Sequence, residues 1–526
     1  MLGRFLFFTL LFCLSVLYPV TTEAQIQITA GEYLVPVICH ADSQMNLPLY
    51  PMVKIDNESY SVIELFTPQK TRTTWGGRKL YSENFFRVDS TNYSLTVDPA
   101  VQFMAGKQVN YEPNLYENTR GIRVSGQLHN QLFFSSELYE SQTVFPTYLE
   151  HFTDSFEVAP GLIRAKKFKD FGRDYATVYG TLAWSPNPHF QLMFARDKLH
   201  FGHGYRSMML SSNAPASTFF RTSVNFKKWS YHFILSSLQN VSLKNIIDVP
   251  QSSMGGYQNK YANFMIIGFK PLHFLEISLF ESMIWAPFND CYNQLHWKHF
   301  NPFPYSRSLW YGMDDRNNTM LGLQLAAEIP YGITFYGQYV IDQAVKSMKM
   351  SALQAGVKLN KQFGNSFFSA RAEMNMAGAY TYSHRDYLQS YSHYHHSLAH
   401  PFGANFKEFL IQADVHHKRW VAAGMISYTL GGVDTQLEYA GQSIYGNPDV
   451  HSWNGSLFPQ LTATKSTMIF ADLKIHYIVN HKNGLNLFMW CTGRDARNTP
   501  YPLKSIDIQV GISTLLRNYN KHQSWL

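Results

Sequence analysis

Beyond its first 25 residues the sequence has no apolar run long enough to cross a membrane as a helix. A spanning helix needs about 20 consecutive apolar residues, so any membrane residence must be as a closed β-barrel. The chain also has no linker, low-complexity run or block of like charge that would divide its 526 residues into domains. These absences favour one large β unit.

Charge and cysteine are scarce as well. Asp, Glu, Lys and Arg make up 15% of the chain, whereas soluble proteins carry about 25%. The net charge of +7 is spread too thinly to indicate a nucleic-acid partner. Beyond the N-terminal apolar run, Cys39, Cys291 and Cys491 form an odd, sparse set that argues against a disulfide scaffold, with one Cys39–Cys291 bridge as the alternative.

The motifs of common catalytic and cofactor sites are absent too. The sequence has no nucleophile elbow. Gly202 and Gly204 could suggest a phosphate cradle, but neither a Gly-Lys-Ser/Thr ending nor a following helix accompanies them. We therefore expect no cofactor or metal, with an outer-membrane hydrolase as a third functional alternative.

Residues 1–24 have the order of a secretory signal peptide. Arg4 precedes an uncharged apolar run from Phe5 to Val20, and Ala24 supplies a small residue for cleavage. An uncleaved anchor is the alternative, but a run of about 16 residues interrupted by Pro19 is short for a bilayer span. We expect cleavage after Ala24 and export through the inner membrane of a bacterium.

Aromatic residues and period-two alternation are abundant. The chain has 33 Tyr and 39 Phe, as expected of the aromatic girdles of an outer-membrane barrel. From Tyr175 to Trp184, small and apolar residues alternate with Tyr and Thr, so one strand face suits lipid and the other a wet lumen. The same alternation recurs from about residue 100 to the C-terminus.

Short turns alternate with long connections along this region. Turns such as Lys227-Lys228 and His417-Lys418 separate adjacent strands, while the long segments lie at about 198–218, 240–261, 286–317, 378–407 and 430–465. We predict an all-β fold: a transmembrane antiparallel β-barrel of about 18 strands with long extracellular loops and short periplasmic turns. A secreted sandwich or propeller is the alternative, but no blade repeat of fixed period is present.

The domain prediction follows from this pattern. Residues 1–24 form the signal peptide, and residues 100–526 form the outer-membrane β-barrel. Residues 25–99 are less regular and are expected to form an N-terminal periplasmic segment, a plug or extra strands.

The segment from Phe194 to Pro215 concentrates polar side chains and glycines, and we interpret it as an inward-folded loop. Its polar residues have two alternative roles: they bond to one another and brace the lumen, or they bind a polar ligand such as a glycan. The candidates are Arg196, Asp197, His203, Tyr205, Arg206 and Asn213.

The connection at 286–317 combines aromatic rings with acidic and basic residues. Sugar rings stack on aromatic planes, and their hydroxyls pair with carboxylates and guanidinium groups, so this mixture suits a glycan. An aromatic plug in the barrel mouth is the alternative. The adjacent Asp314 and Asp315 diverge on an extended chain and make a poor pair for glycoside hydrolysis. The glycan candidates here are Trp297, Arg307, Trp310 and Asp315.

Five histidines lie close together in another predicted loop, 378–407. Histidine ligates zinc and copper, but no cysteine accompanies them and their spacing matches no closed metal site. We therefore favour surface or loop-packing roles. The residues are His384, His393, His395, His396 and His400.

Four segments carry a resemblance to a known family. They are Asn118-Thr-Arg-Gly-Ile-Arg-Val-Ser-Gly126, Glu140-Ser-Gln-Thr-Val-Phe-Pro-Thr-Tyr148, Arg196-Asp-Lys to Gly202-His-Gly-Tyr-Arg-Ser-Met-Met-Leu-Ser-Ser-Asn213, and Leu398-Ala-His-Pro-Phe-Gly-Ala-Asn-Phe406. In them the chain resembles the capsule assembly Wzi family, especially the Bacteroidetes branch that includes the gliding-motility protein RemB. The Gly-His-Gly-Tyr-Arg-Ser segment is the most specific.

The resemblance implies an outer-membrane barrel that helps to retain exported polysaccharide at the cell surface, as a lectin and not as an enzyme. Wzi of enteric bacteria also has a periplasmic helical bundle near its N-terminus, and no strong helical periodicity predicts one here.

We accordingly expect a bacterial outer-membrane protein that binds or organises surface polysaccharide for capsule or exopolysaccharide attachment. Its expected partners are outer-membrane lipid and lipopolysaccharide, surface polysaccharide and, during biogenesis, the barrel assembly machinery. A role in gliding motility or adhesion is one alternative, and a solute channel is another.

Overall fold

The computed structural model describes residues 24–28, 47–56, 72–129, 131–241, 257–286, 301, 303, 305, 317–342, 350–432, 434, 440–448, 465–499 and 503–515. The strands are β1 (Ala24–Ile28), β2 (Leu49–Tyr50), β3 (Met52–Asp56), β4 (Phe86–Asp89), β5 (Tyr93–Pro99), β6 (Gln102–Gln108), β7 (Leu115–Leu128), β8 (Leu132–Val144), β9 (Lys166–Phe168), β10 (Gly172–Asn187), β11 (Phe190–Asp197), β12 (His200–Phe201), β13 (Ser217–Phe226), β14 (Trp229–Val241), β15 (Tyr257–Leu272), β16 (Leu275–Trp285), β17 (Asn318–Ile329), β18 (Ile333–Ile341), β19 (Ser351–Phe363), β20 (Ser366–Ala377), β21 (Ser392–His393), β22 (His396–Ser397), β23 (Phe406–His417), β24 (Trp420–Gly432), β25 (Lys465–Asn480), β26 (Leu485–Arg497) and β27 (Leu503–Ser513).

Helices are few. The described residues form the α-helices α1 (Trp75–Tyr81) and α2 (Thr147–Phe156), with single 3-10 turns at Pro330–Gly332 and Tyr387–Gln389. Within these ranges no helix has both the length and the apolar character needed to span a bilayer.

Eighteen of the described strands close into an antiparallel barrel, which confirms the predicted fold class. Neighbours in sequence are neighbours in the wall, and the last strand, β27, pairs with β6 from Asp507↔Gln108 to Ser513↔Gln102. The wall strands are β6–β8, β10, β11, β13–β20 and β23–β27.

The first wall strand is broken. β5 pairs with the C-terminal part of β7, residues 122–128, and β6 pairs with its N-terminal part, residues 115–119. The interruption falls just after Pro99, where a strand cannot donate a backbone hydrogen bond. The edge of β5 that faces away from β7 pairs with β4, and the corresponding edge of β6 pairs with β27.

The connections at one end of the barrel are tight turns at the predicted positions. Left-handed backbone at His129, Lys227, Tyr331 and Lys418 lets the chain reverse within a few residues. Most connections at the opposite end are longer, and they carry α2, β12, β21 and β22.

The outward face of the wall is apolar and open, which identifies the barrel as transmembrane. Side chains such as Phe194, Ile411 and Ile426 are 57%, 65% and 62% exposed, an arrangement that water would penalise and lipid favours. Aromatic pairs mark the short-turn edge, where Trp229 stacks on Phe269 and Trp420 meets Tyr477 edge-on. Such rings are typical of the membrane–water boundary.

Part of the N-terminal region lies inside the barrel. β2 pairs with β12 through His200↔Tyr50 and Phe201↔Leu49, and Leu47 and Leu49 belong to the apolar cluster that fills the lumen. β1 and β3 form a separate two-stranded ribbon.

Candidate functional site

The connection between β11 and β13, residues 198–216, folds into the lumen; we call it the inner plug. Phe201 stacks on Phe280 of the inner wall with ring centroids 6.0 Å apart. Met208 and Met209 are fully buried, and the Met209 side chain lies over Gly322, where any larger residue would collide with it. The lumen at this level is therefore packed protein.

Two buried carboxylates of the wall hold the inner plug. Glu373 on β20 accepts hydrogen bonds from the backbone N–H groups of Tyr205 and Arg206 and from the hydroxyl of Tyr336, the last at 2.8 Å. Glu408 on β23 accepts from the Arg206 guanidinium at 3.4 Å and from His400 Nε2 at 2.7 Å. Charged hydrogen bonds in a dry interior are strong, so these residues fix the plug in position.

Wall glutamines add neutral contacts to the same segment. Gln338 donates to the Phe201 carbonyl at 3.1 Å and accepts from the Met208 N–H at 2.8 Å. Gln354 donates to the Arg206 carbonyl at 3.0 Å. Gly202 has a φ of 131°, and a Cβ there would strike the Gln338 amide, so the plug needs glycine at this point.

Most of the polar candidates from the first predicted loop bond within the plug and wall. Asp197 accepts from the Lys198 N–H at 2.7 Å, and His203 meets Glu276 at 3.2 Å. Asn213 donates to the Ser397 carbonyl at 3.4 Å. Arg206 is 1% exposed and Asn213 2%. Through these contacts the polar side chains bond to the plug and the wall, the arrangement expected if they brace the lumen.

Arg196 and Tyr205 lie at the margins of this cluster and are less buried. Arg196 donates to the Thr218 hydroxyl at 3.3 Å. The Tyr205 ring faces the Arg206 guanidinium and packs against the cluster of Leu410, Met425 and Phe470. A glycan role for the six candidates stays a prediction. Trp297, Arg307, Trp310 and Asp315 lie outside the described residues.

A second layer covers the plug at the long-loop end. We call it the outer lid; it consists of α2, the hairpin β21–β22 and residues 440–448. The hairpin is anchored to the wall because the Gln239 N–H donates to His393 Nδ1 and the Tyr394 N–H donates to the Gln239 carbonyl, both at 2.9 Å.

His396 ties the hairpin to the chain that follows α2. The Gly161 N–H donates to His396 Nε2 at 2.9 Å, and His396 Nδ1 lies 2.7 Å from the Tyr394 carbonyl. These partners fix a neutral ring with its proton on Nδ1. Burial lowers the pKa of His396 to about 3, and burial lowers that of His393 equally. Both histidines are neutral acceptors at physiological pH.

Three rings form a column in the outer lid, which we call the ring column. His395 stacks between Phe156, with centroids 3.6 Å apart, and Tyr445, with centroids 4.6 Å apart. All three rings are partly buried. The column therefore joins three separate connections and presents aromatic surface at the end of the barrel.

The tip of the hairpin is strained. Tyr394 and His395 have φ values of 46° and 63°, the paired left-handed conformation of a type I′ turn that normally takes Asn-Gly. A side chain in that conformation costs roughly 1 to 2 kcal/mol per residue. Such strain persists where the surroundings enforce it and is a pointer to function.

Asp434 holds the third component of the outer lid. Its carboxylate accepts backbone N–H groups from Ala440 at 2.6 Å, Gly441 at 2.8 Å and Ser443 at 2.9 Å. This carboxylate closes the loop that presents Tyr445. Nothing in the local sequence pattern singled out Asp434, because its partners are backbone groups.

The histidines of the 378–405 connection each have their own partner. His384 Nδ1 accepts from the Asp386 N–H at 3.1 Å, and His400 bonds to Glu408. Among the residues in the described ranges, no three His, Cys, Asp or Glu side chains converge as metal ligands would. The contacts agree with loop-packing roles.

Comparison with known proteins finds similarity at the level of the fold. No protein-family model matches the chain, and no curated protein matches it. A solved structure of Wzi, an outer-membrane protein involved in group 1 capsule assembly in Escherichia coli and described as a carbohydrate-binding β-barrel, has 13% identity and a TM-score of 0.49 and covers 79% of this chain and 84% of its own.

Two other outer-membrane proteins of known structure match comparably. OprD of Pseudomonas aeruginosa has 9% identity and a TM-score of 0.43 over 83% of this chain and 98% of its own. A BenF-like porin of Pseudomonas fluorescens Pf-5 has 8% identity and a TM-score of 0.42 over 81% and 99%. The chain is a transmembrane antiparallel β-barrel. Likenesses this distant say nothing about what it binds.

Proposed function

We propose that this protein binds surface polysaccharide at the long-loop end of the barrel, acting as a lectin and not as an enzyme. The observation that carries the proposal is the combination of a packed lumen with a partly exposed ring column above it. A barrel of this kind presents its connections and does not conduct through them.

The chemistry of the ring column suits a sugar. The apolar faces of pyranose rings stack on aromatic planes, and Phe156 and Tyr445, at the two ends of the column, are aromatic rings that stay partly exposed. His395 between them is held in place by the hairpin, so the platform is preorganised and little conformational entropy is lost on binding. The polymer we propose is the cell's own exported polysaccharide, attached as capsule or exopolysaccharide.

Binding of the purified, detergent-folded protein to polysaccharide extracted from the producing cell tests this proposal. Replacing Phe156 and Tyr445 together with alanine is expected to weaken binding at least tenfold, since each lost stacking contact contributes about 1 kcal/mol. Phe363→Ala is the matched control, because this exposed ring lies at the opposite end of the barrel. Equal binding by both variants, or none by the wild type, would overturn the proposal.

A variant in which Trp297 and Trp310 are replaced with alanine tests whether the β16–β17 connection belongs to the glycan surface. Weakened binding would extend the glycan surface to the β16–β17 connection, as the composition of that segment predicts. Unchanged binding would confine the surface to the outer lid.

A further inference from the structure

One arginine of the inner wall is buried without a protein acceptor. Arg221 on β13 alternates with the exposed, outward-facing Phe220, so its side chain points into the lumen, and the residue is 3% exposed. Within the described ranges no acceptor bonds to its Nε or Nη1 nitrogens. Nη2 reaches the Gln191 amide oxygen only at 3.5 Å, beyond the usual length of a hydrogen bond. A buried charge is normally paired, so this guanidinium lacks the acceptor that its burial requires.

Other arginines that face the lumen have carboxylate partners. Arg123 on β7 donates to Glu137 at 2.8 Å, and Arg206 of the inner plug donates to Glu408 at 3.4 Å. Arg221 has no equivalent partner among the residues that the structure describes. A buried donor without an acceptor requires a specific explanation, and an anion from outside the chain supplies one.

Asp197 is too far along the barrel to be the partner of Arg221. It attracts the guanidinium electrostatically, but it lies four positions along β11 from Met193, the residue opposite Arg221, which is about 13 Å along a strand. Its carboxylate accepts from the Lys198 backbone N–H at 2.7 Å. The donors of Arg221 therefore stay available to a ligand.

A histidine of the next strand adds a second buried nitrogen without a partner. His232 on β14 is opposite Ser223 of β13, and its Nδ1 lies 2.9 Å from the Ser223 hydroxyl. Its Nε2 is buried and has no partner in the described part of the chain. When the hydroxyl donates to Nδ1, the ring proton is on Nε2, which is then a hydrogen-bond donor.

Arg221 and His232 face the same part of the lumen. The residue opposite His232 is Ser223, two positions from Arg221, which makes Arg221 and His232 diagonal neighbours on the inward face. Such neighbours lie about 7 to 8 Å apart at the backbone, a gap that long side chains cross. Gln191 of β11 lies opposite Ser223 on the other side. We call Gln191, Arg221, Ser223 and His232 the basal cluster.

Exposure rises from the basal cluster toward the short-turn end of the barrel. Arg221 and His232 are buried, whereas Asn225, nearer the turn on the same face of β13, is partly exposed. Lys227 and Lys228 form the exposed turn that follows. Cationic residues at an entrance raise the local concentration of anions, so an anion can approach the cluster from this end.

We propose that the basal cluster binds a phosphate group inside the barrel, near its short-turn end. Guanidinium groups bind phosphate through paired, charged hydrogen bonds, and a tetrahedral oxyanion has further oxygens for the His232 donor. A carboxylate is planar and has only two oxygens, so donors from two strands favour phosphate. Free phosphate and a phosphate ester of a sugar both carry this group. The site is separate from the ring column, which lies at the opposite end of the barrel.

Isothermal titration calorimetry of the full-length, detergent-folded protein with inorganic phosphate tests the proposal. We expect saturable binding that Arg221→Gln weakens by about tenfold or more, because hydrogen bonds to charged groups are the strong ones. Arg123→Gln is the matched control, since this arginine of the lumen has its own carboxylate, and it should bind phosphate as the wild type does. Migration of the unheated variants as folded barrels in gel electrophoresis shows that the wall is intact.

Two outcomes would overturn the proposal. No binding by the wild type would mean that water satisfies the Arg221 guanidinium. Equal binding by the wild type and both variants would place the phosphate elsewhere on the protein.

Competition identifies the source of the phosphate group. Displacement of inorganic phosphate by glucose 1-phosphate would show that the cluster admits a sugar ester, and failure to displace it would assign the site to the free ion. Acetate that competes as well as phosphate would contradict the preference for a tetrahedral oxyanion.

Thermal stability gives a second, independent readout. In phosphate-free buffer Arg221→Met removes a buried charge that has no partner, so the temperature at which the barrel loses its folded migration should rise. Added phosphate should raise this temperature for the wild type and not for the variant, because a ligand stabilises only the folded form that binds it. A variant less stable than the wild type in phosphate-free buffer would mean that the chain itself satisfies Arg221. None of these readouts depends on polysaccharide binding.

Discussion

At the scale of single residues, buried carboxylates and neutral histidines organise the interior. Glu373 and Glu408 accept hydrogen bonds from plug residues more than 160 positions away in sequence. His393 and His396 act as acceptors for backbone N–H groups. The sequence predicted that polar groups would face inward, but alternation along a strand carries no information on partners in a distant connection.

Glu408→Ala is expected to destabilise the barrel strongly. The substitution leaves the buried Arg206 guanidinium and the His400 ring without their carboxylate, and loss of one member of a buried charged pair costs about 3 to 5 kcal/mol. Urea unfolding followed by tryptophan fluorescence measures the change. Glu140→Gln, at an exposed position of β8, should lie within about 0.5 kcal/mol of the wild type; a similar loss in both variants would contradict this account.

His396 is expected to make the outer lid sensitive to acid. Its pKa is about 3 in the folded protein and about 6.5 in an unfolded segment. Between these values the open form binds a proton that the closed form does not, so the closed form loses stability as pH falls below about 6.5. Protonation of Nε2 also removes the acceptor for Gly161.

Amide hydrogen exchange at Gly161, corrected for its intrinsic pH dependence, measures this effect. We expect greater opening at about pH 5 than at about pH 7.5 in the wild type. His396→Gln supplies a non-titrating acceptor and should flatten the profile. Identical profiles for the two proteins would rule out His396 as the source.

At the scale of elements, the regular parts follow from local pattern and the connections do not. The predicted turn Lys227-Lys228 lies between β13 and β14. The turn between β23 and β24 is Lys418-Arg419, one residue later than predicted. Period-two alternation specifies a strand and its buried face together. The hairpin β21–β22 gave no such signal, because its turn residues, Tyr394 and His395, are not the Asn and Gly that such a turn prefers.

Replacing Tyr394 and His395 with Asn and Gly is expected to separate folding from binding. The new pair suits the type I′ turn, so the strain of roughly 1 to 2 kcal/mol per residue is relieved while the stacking of His395 is lost. The barrel should stay folded, and polysaccharide binding should fall at least tenfold because the ring column loses its centre. Full binding by this variant would exclude the ring column from the glycan surface.

At the scale of the whole molecule, the protein's own chain fills the lumen of the barrel. Eighteen strands enclose a lumen wide enough for an aqueous channel when it is empty. Here β2, the inner plug and the 378–405 connection contribute the apolar cluster inside it. Strand number and the inward-folded loop at 194–215 could be read from the sequence. The contributions of β2 and of the 378–405 connection to the lumen could not, since they depend on contacts between segments far apart.

We expect the wild-type protein to carry no steady ion current in planar lipid bilayers. Replacement of residues 199–213 by a short Gly-Ser linker should open a measurable current, because it removes Phe201, Met208 and Met209 from the lumen. A linker of the same kind in place of 440–448 leaves Phe201, Met208 and Met209 in the lumen and should give no current. Steady current through the wild type would favour the solute-channel alternative.

The broken first strand has a further consequence for how the wall holds together. β27 and β6 share seven paired positions, against eleven between β26 and β27, so the ladder that joins the two ends of the barrel is shorter than the one beside it. β4 pairs with β5, the N-terminal half of the broken strand, on the same side as β27 pairs with β6. Closure of the cylinder is thus shared by two strands in succession, β27 beside β6 and β4 beside β5.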